Sequence, residues 1–224
     1  MLVLTWNLFH GRAVPPAGRD LQAEFAAALG GWEWDVALLQ EVPPWWPAAF
    51  GYEHRTALTS RNLGLALRRR LAQRWPDVMR SGGGSANAIL VRGERILEHR
   101  RRRLRWLPER RVLHAVRLSS GAWVANLHAQ VHSDERACAD IAQAAETVRA
   151  WSQGAPFVLG GDMNVRSPAA AGLVHAGGHG VDHVLTSFTP QATTRVLDRG
   201  PLSDHAPVLV ALEGWLTPGR QEKA

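Results

Sequence analysis

Residues 157–164 spell Phe-Val-Leu-Gly-Gly-Asp-Met-Asn, an apolar run that ends in two glycines and two polar side chains. The apolar residues predict a short buried strand that breaks at Gly160-Gly161, where the backbone can turn sharply and approach a ligand closely. Asp162 and Asn164 lie two positions apart, and on an extended segment two such side chains point the same way. A carboxylate beside an amide suits the holding and deprotonation of a water molecule, although the same residues also suit an Asx-turn.

Other apolar runs are followed by polar residues in the same way. Leu2–Trp6, Val36–Leu39 and Trp123–Leu127 each end beside a side chain that can bind metal or phosphate. The polar residues of this pattern are Asn7, Glu41, His128, Asp162 with Asn164, and the pair Asp204-His205. Strand ends at one edge of a layered α/β domain converge in space, so we expect these five groups to share one cleft.

The remaining pattern predicts a single α/β domain. Asp20 can cap a helix that runs through Leu29, and the apolar spacing from Asp134 to Trp151 is typical of a second helix. Further strands are predicted at Ala88–Val91, entered from a flexible segment at residues 81–85, and at Arg111–Leu118, Val181–Thr186 and Val208–Leu212, with Arg111–Leu118 antiparallel to Trp123–Leu127. A chain of 224 residues supports one core, so we predict one domain over residues 1–214 and a frayed tail over residues 215–224.

The charge balance favours polyanionic partners. The formal net charge is +6 and the isoelectric point is near 11.0, which is typical of proteins that meet nucleic acid or anionic lipid headgroups. A coding habit of the source organism also explains the excess of arginine. The densest positive segment is Arg100 to Arg103 and Arg105, followed by Trp106 and Arg110-Arg111. It suits either the tracking of a phosphate backbone or a solvated edge that blocks aggregation.

Cysteine content and hydropathy exclude other classes of protein. Cys138 is the only cysteine, which excludes an intramolecular disulfide and a cysteine-based zinc site, and its neighbours predict a buried position on a helix. No apolar run approaches the roughly 20 residues that a bilayer span needs. The first residues look like a core strand and not like a secretory signal, so we expect a soluble, cytoplasmic monomer.

The candidate metal ligands are carboxylate and amide oxygens, which favour Mg²⁺ or Mn²⁺ over zinc. They are Asn7, Glu41, Asp162, Asn164 and Asp204. His205 can carry a proton near neutral pH, and a nearby carboxylate would fix its tautomer and raise its pKa. Asp182, within Val181-Asp182-His183, supplies a further acid.

Taken in order, these motifs resemble the endonuclease/exonuclease/phosphatase superfamily, which has the deoxyribonuclease I-like fold. The matching segments are Thr5-Trp6-Asn7, Leu39-Gln40-Glu41, Asn87-Ala88-Ile89-Leu90, Asn126-Leu127-His128, Gly161-Asp162-Met163-Asn164, Val181-Asp182-His183-Val184 and Ser203-Asp204-His205. The resemblance implies a four-layer α/β sandwich in which helices flank two packed β-sheets, with the site at one edge. Histidine at position 128 resembles the branch of the family that contains nucleases, deadenylases, sphingomyelinases and phosphatases.

The resemblance also implies roles at a metal and a water. Glu41 would be the principal metal ligand, helped by Asn7, with Asp204 as an additional ligand. Asp162 would position and deprotonate the attacking water. Asn164 would hold water or phosphate.

Further implied roles concern the phosphate. His205, oriented by Asp182, would bind a phosphoryl oxygen or act as the base, so the parts of Asp162 and His205 are open to exchange. His128 would stabilise the phosphate or protonate the leaving group. The predicted substrate-binding residues are Asn87, Arg101 and Arg103.

These inferences predict a Mg²⁺- or Mn²⁺-dependent phosphodiesterase, with a nuclease as the leading hypothesis and nucleic acid as its partner. The alternative is a phosphomonoesterase, or an esterase of phospholipids or inositol phosphates, that uses the same residues. A third hypothesis is an inactive basic protein that binds nucleic acid. The intact set of candidate catalytic residues argues against it.

Overall fold

Within residues 1–59, 64–75 and 85–214, which the computed structural model describes, the strands form two six-stranded sheets. The strands are β1 Leu2–Asn7, β2 Val36–Val42, β3 Glu53–Leu58, β4 Ala86–Val91, β5 Ile96–Arg105, β6 Arg111–Leu118, β7 Trp123–His128, β8 Phe157–Asp162, β9 Val174–His179, β10 Asp182–Thr186, β11 Gln191–Val196 and β12 Val208–Glu213. The first sheet has the order β11-β12-β1-β2-β4-β3 and the second β5-β6-β7-β8-β10-β9. Residues 81–84 of the flexible segment predicted at 81–85, and the predicted tail at 215–224, lie outside the described residues.

Helices cover the outer faces of the two sheets. Helix α1, Gln22–Gly31, packs Phe25 and Leu29 into a cluster with residues of the first sheet. Helix α2 is Leu65–Arg74. Helix α3, Asp134–Ser152, packs its apolar face on the second sheet. A third apolar cluster lies between the sheets, which confirms the predicted four-layer sandwich.

The two packed helices begin in different ways. The N-cap of α1 is Leu21, which makes no side-chain capping hydrogen bond, so the predicted cap at Asp20 lies one residue too early. Asp20 Oδ1 still accepts a hydrogen bond from the backbone nitrogen of Gln22 over 3.0 Å and so satisfies a free N–H of the first turn. Ser133 is the N-cap of α3, and its side chain accepts from the nitrogen of Arg136. Helix α3 ends where Gln153 adopts a left-handed φ of 51°.

The side chains that lie between the two sheets change from apolar to polar along the strands. Side chains that point between the sheets are apolar at one end, such as Val3, Val124 and Val158. Four residues further along the same faces stand Asn7, His128 and Asp162. Because β1 and β2 are parallel, as are β7 and β8, these polar ends meet at one edge of the sandwich.

Two predicted strand ends are wrong. Strand β8 does not break at Gly160-Gly161 but continues to Asp162, because Gly161 serves close packing and not a turn. A Cβ on Gly161 would lie 1.9 Å from the carbonyl oxygen of Leu127. Strand β2 likewise continues past Glu41 to Val42, with a register shift between Leu39 and Val42.

The exposure of Cys138 and the apolar length of the helices are two further features of the fold. Cys138 is exposed on α3, so the prediction of a buried cysteine is wrong: the residue lies on the solvent side of the helix, beside the buried Ala137. Among the described residues, no helix is both long enough and apolar enough to span a membrane.

Candidate active site

Side chains from both sheets meet at the carboxylate of Asp162, the last residue of β8. Asn7 Nδ2, at the end of β1 in the other sheet, donates a hydrogen bond to Asp162 Oδ2 over 3.0 Å. The same oxygen lies 3.6 Å from His128 Nε2 and 3.9 Å from His205 Nε2. The structure therefore brings together four of the polar residues that the sequence singles out.

His205 is held from behind by Asp182. Its Nδ1 lies 2.7 Å from Asp182 Oδ2, and Asp182 pairs with Asp162 across the β8–β10 ladder. The His205 nitrogen also donates to Ser203 Oγ, while that hydroxyl donates to the carbonyl of Asn7 over 2.6 Å. These bonds leave Nε2 of His205 on the side of Asp162 and fix the ring against β1.

The charges of this group are unusual. Burial raises the pKa of Asp162 to about 7, and the neighbouring charge of Asp182 adds to that shift. Burial alone would lower the pKa of His205, but the hydrogen bond and charge of Asp182, with the charge of Asp162, raise it to about 9. His205 is therefore a cation at neutral pH.

His128 carries no such charge. Burial, together with the positive charge of Arg111, holds its pKa well below the usual range. Its 3.6 Å separation from Asp162 is too long for a hydrogen bond. The pair is therefore a neutral imidazole beside a carboxyl group and not an ion pair.

Glu41 lies in the irregular part of β2, at a left-handed φ of 51°. His10 Nε2 lies 2.9 Å from Glu41 Oε2. Burial alone would raise the pKa of Glu41, but the hydrogen bond and charge of His10, with the charge of His205, lower it to about 2. Glu41 is thus ionised at neutral pH. His10 was not predicted as a site residue, because it follows β1 in a short 3₁₀ turn, Phe9–Gly11, and does not end a strand.

Backbone strain is concentrated around these residues. Six non-glycine residues of the described chain have a left-handed φ, and five of them line the site or bond to it. The five are Phe9, His10, Glu41, Asn164 and Ser203. Such conformations persist where the surroundings enforce them, and they concentrate at functional sites.

Asn164 lies beside Asp162, although not for the reason that the sequence suggested. The segment is not extended there, because Asn164 has a φ of 53°. Its backbone nitrogen donates to Asp162 Oδ1 over 3.1 Å, and its side-chain nitrogen donates to the carbonyl of Ala129. The Asx-turn and the functional interpretation are both compatible with this geometry, since the turn fixes Asp162 and Asn164 still lines the cleft.

The side chains around Asp162 line a cleft of about 640 Å³, which is within the usual range of small-molecule sites. Seven predicted site residues line it: Asn7, Glu41, His128, Asp162, Asn164, Asp204 and His205. Asp204 is exposed at its rim. Asp182 lies behind His205 and outside the lining.

The three predicted substrate-binding residues do not line the cleft. Asn87 is fully buried on β4, where alternation turns its side chain toward the space between the sheets with Ile89, so its side chain is not exposed to the cleft. Arg101 and Arg103 are exposed on the edge strand β5. Arg103 reaches the rim only through Trp106, whose ring centroid lies 3.8 Å from its Cζ.

Three arginines lie at the cleft instead: Arg110 and Arg111, which belong to the predicted positive segment, and Arg12, which the sequence did not single out. Arg111, the first residue of β6, lines the cleft with a side chain that is only 6% exposed, and it pairs with Glu109. Arg12 lines another wall, with its Cζ 3.8 Å from the Phe9 ring centroid. Arg111 could have been placed at the cleft from the sequence, because β6 was predicted to run antiparallel to β7. This pairing places the first residue of β6 near His128.

The donor atoms suit a divalent cation that prefers oxygen. Glu41 is an ionised carboxylate at the cleft, and Asp182 Oδ1 is buried without a hydrogen-bond partner among the described residues. Donor atoms of Asp162, Asp182 and His205 lie within 4.8 Å of one another. Neighbouring buried carboxylates repel each other, and a cation relieves that repulsion.

Comparisons with known proteins agree with this architecture. The model of the Endonuclease/Exonuclease/phosphatase family matches residues 4–205. Among solved structures, the chain is similar to an endonuclease/exonuclease/phosphatase from Beutenbergia cavernae (18% identity, TM-score 0.69, 95% of this chain and 71% of that one). It is also similar to truncated Caenorhabditis elegans TDP2 (17%, 0.64, 93% and 96%) and to a Bacteroides thetaiotaomicron mannosyl-6-phosphatase (15%, 0.64, 95% and 99%).

No curated protein sequence matches the chain. The family match nevertheless covers nearly all of the sequence, and the two-sheet sandwich and its cleft agree with it. The chain belongs to the endonuclease/exonuclease/phosphatase family.

Proposed function

We propose that the protein is a divalent-metal-dependent phosphodiesterase and that its substrate is nucleic acid. Members of its family are hydrolases that act on phosphoester bonds. The observation that supports this proposal best is the convergence of Asn7, His128 and His205 on one carboxylate oxygen of Asp162.

In this proposal Asp162 accepts the proton of the attacking water. Asn7 and the backbone of Asn164 each donate to one of its oxygens, so the carboxylate is held in one orientation. A base that is positioned in this way typically accelerates proton transfer by about 10²- to 10⁴-fold. His205, whose Nδ1 is bonded to Asp182, is left to act on the phosphoryl oxygens.

Positive and neutral donors then surround the phosphoryl group. His205 and Arg111 bring charge to the cleft, and buried charges that are aligned in advance stabilise the negative charge that develops in the transition state. His128 is neutral and can donate a hydrogen bond to the phosphate, whereas protonation of the leaving group would require its imidazolium form. We assign both His128 and His205 to the phosphate and not to the metal.

For the cation we propose Glu41 as the principal ligand, with Asn7 and Asp204 nearby. A bound Mg²⁺ or Mn²⁺ would act as a Lewis acid and lower the pKa of bound water. His205 of the Asp162–Asp182–His205 group is protonated, and a protonated imidazole offers no lone pair to a metal. Glu41 has no such obstacle, because it is ionised and faces the cleft.

The metal proposal is tested by titration with Mn²⁺ and by hydrolysis of bis-p-nitrophenyl phosphate. We expect activity to vanish in chelator and to return with Mg²⁺ or Mn²⁺, and Glu41→Ala to weaken Mn²⁺ binding. The exposed Glu33→Ala is the matched control and should bind Mn²⁺ like the wild type. Full turnover by metal-free enzyme, or unaltered Mn²⁺ binding by Glu41→Ala, would contradict the proposal.

The nucleic-acid proposal is supported by charge. The chain carries a net charge of +6, and Arg12, Arg110 and Arg111 line the cleft. Each arginine that neutralises a phosphate releases counterions, so binding should weaken with salt by a slope near −0.9 per contact on duplex DNA.

A substrate panel tests this second proposal. It compares plasmid DNA, single-stranded DNA and RNA with sphingomyelin, inositol phosphates and sugar phosphates, each with and without Mg²⁺. We expect cleavage of nucleic acid. Release of phosphate from monoesters alone, or cleavage of sphingomyelin alone, would reject nucleic acid and leave the metal-dependent chemistry in place.

A further inference from the structure

One wall of the cleft contains an exposed aromatic side chain and arginines that the proposed hydrolysis does not require. The loop of residues 106–110, between β5 and β6, contributes Trp106, Pro108, Glu109 and Arg110 to the lining. Trp106 is 56% exposed, although a large aromatic side chain is usually buried. Its position at the rim of a phosphoesterase cleft calls for an explanation in terms of a ligand.

The ring of Trp106 is surrounded by positive charge. Arg103 Cζ lies 3.8 Å and Arg110 Cζ lies 5.6 Å from its centroid. Arg111, deeper in the same wall, lines the cleft as well. An aromatic surface flanked by guanidinium groups suits a ligand that is both aromatic and anionic.

The wall is tied to the catalytic strand end. Gln130 Nε2 donates to the carbonyl of Glu109 over 2.8 Å, and Glu109 pairs with Arg111. At the base of the loop, Asp140 accepts hydrogen bonds from Arg105 Nε and from the nitrogen of Gln130. Since Gln130 follows His128 by two residues, the position of Trp106 is set relative to the catalytic group.

We infer that Trp106, flanked by Arg103 and Arg110, stacks on an unpaired nucleobase next to the scissile phosphate. The enzyme therefore acts on single-stranded nucleic acid, or on unpaired ends, in preference to intact duplex. The physical reason is that a base within a duplex has both faces covered by its neighbours, whereas an unpaired base offers one face to an exposed ring. This inference rests on the proposed function, because it assumes a nucleic-acid phosphodiester in the cleft.

Binding measurements test the inference in the inactive Asp162→Asn background with fluorescein-labelled oligonucleotides. Trp106→Ala should weaken binding of a single strand by roughly 10-fold, the scale of one base stacked on an aromatic side chain. Trp106→Phe should restore most of that loss. The matched control is Trp75→Ala, because Trp75 is also 56% exposed and has an arginine near its ring but does not line the cleft.

Abasic oligonucleotides separate stacking from a general loss of structure. A strand without bases near the cleavage point should bind the parent protein roughly 10-fold more weakly, and Trp106→Ala should cause no further loss. Intact duplex should be insensitive to Trp106→Ala. Equal binding of single strands by Trp106→Ala and its parent, or an equal loss on base-bearing and abasic strands, would overturn the inference.

Cleavage assays distinguish this failure from failure of the proposed function. If the wild type cuts single strands with Mg²⁺ and Trp106→Ala cuts them with an unchanged KM, only the stacking inference is lost. If the wild type cuts no nucleic acid and hydrolyses a phospholipid or a sugar phosphate, the nucleic-acid proposal is rejected and the stacking inference with it.

Discussion

The space between the two sheets has an apolar half and a polar half, and the same strands build both. Strand β8 contributes Val158 to the first and Asp162 to the second, and β1 contributes Val3 and Asn7. The apolar half consists almost entirely of buried valine, leucine and isoleucine. The polar half buries amides, imidazoles and carboxylates that a core designed only for stability would not contain.

The polar half is only partly satisfied by hydrogen bonds. Asn126 donates to the carbonyls of Leu39 and Ala88 and accepts from Gln40 Nε2. In contrast, Gln40 Oε1, both amide atoms of Asn87 and His114 Nε2 are buried without a partner among the described residues. Buried groups of this kind lower stability. The apolar half therefore stabilises the sandwich, while the polar half positions the side chains of the candidate site and lowers stability.

The sharpest test of this division is Asp162→Asn. We expect kcat to fall by roughly 10²- to 10⁴-fold, because the proposed base is lost. The free energy of unfolding of Asp162→Asn, measured at pH 8 in chelator, should be higher than that of the wild type. The reason is that burial raises the pKa of Asp162 from 3.8 to about 7, so the folded state binds a proton more tightly than the unfolded state. Stability is therefore lost as the pH rises from about 4 to 7, and at pH 8 the loss is complete.

His205→Ala is the companion variant of Asp162→Asn. It should also lower kcat by roughly 10²-fold, and the double variant should lose less than the product of the two single losses, because the two groups act as a unit. Near-normal turnover in either folded single variant would reject the assignment. So would a loss of stability in Asp162→Asn as large as that of a core mutation.

Much of the fold was predictable because central strands have simple sequences. Strands β1, β2, β4, β6, β7, β8, β10 and β12 were predicted, in part or in full, from their apolar runs. The four strands that no apolar run predicted, β3, β5, β9 and β11, are the four edges of the two sheets. An edge strand is partly solvated and carries polar side chains, as in Arg100 to Arg103, so it lacks the apolar run on which the prediction depends.

The candidate site was predictable to the extent that strand ends carry it. Asn7, His128 and Asp162 terminate buried strands, and the structure brings them together. His10 and Arg111 do not fit that rule, since one lies in a 3₁₀ turn and the other begins a strand. Their proximity to the cleft depends on how the two sheets pack, which no local pattern encodes.

The apolar half is tested by Leu38→Ala. Leu38 is fully buried, and a Cβ on Gly160 would lie 2.6 Å from its Cδ1, so truncation opens a cavity directly against β8. We expect a loss of about 2–5 kcal/mol in unfolding free energy by urea denaturation. kcat of the folded fraction should stay within roughly threefold, because no group at the cleft is removed.

The control for Leu38→Ala is Leu97→Ala. Leu97 is 50% exposed, so its truncation should change the unfolding free energy by no more than about 0.5 kcal/mol. A Leu38→Ala variant that keeps its stability but loses turnover would break the distinction between the two halves.

The smallest effect is expected from His114, which joins the two halves. It is fully buried, its Nδ1 lies 3.3 Å from His99 Nε2, and burial lowers its pKa to about 3. Burial and the charges of Arg55 and Arg101 lower the pKa of His99 too. Between about pH 3 and pH 6.5 the unfolded chain therefore binds a proton at His114 that the folded chain does not, so stability is lost as the pH falls below 6.5.

His114→Gln removes this titration and should flatten the fall of unfolding free energy between pH 6.5 and 4.5. The expected change in slope is at most about 1.4 kcal/mol per pH unit, the contribution of one proton. The exposed His132→Gln should leave the slope as in the wild type. An identical slope in His114→Gln and the wild type would mean that His114 is charged or hydrated in the folded protein. The polar half would then begin only at the strand ends, with Asn7, His128 and Asp162, and not one layer deeper in the sandwich.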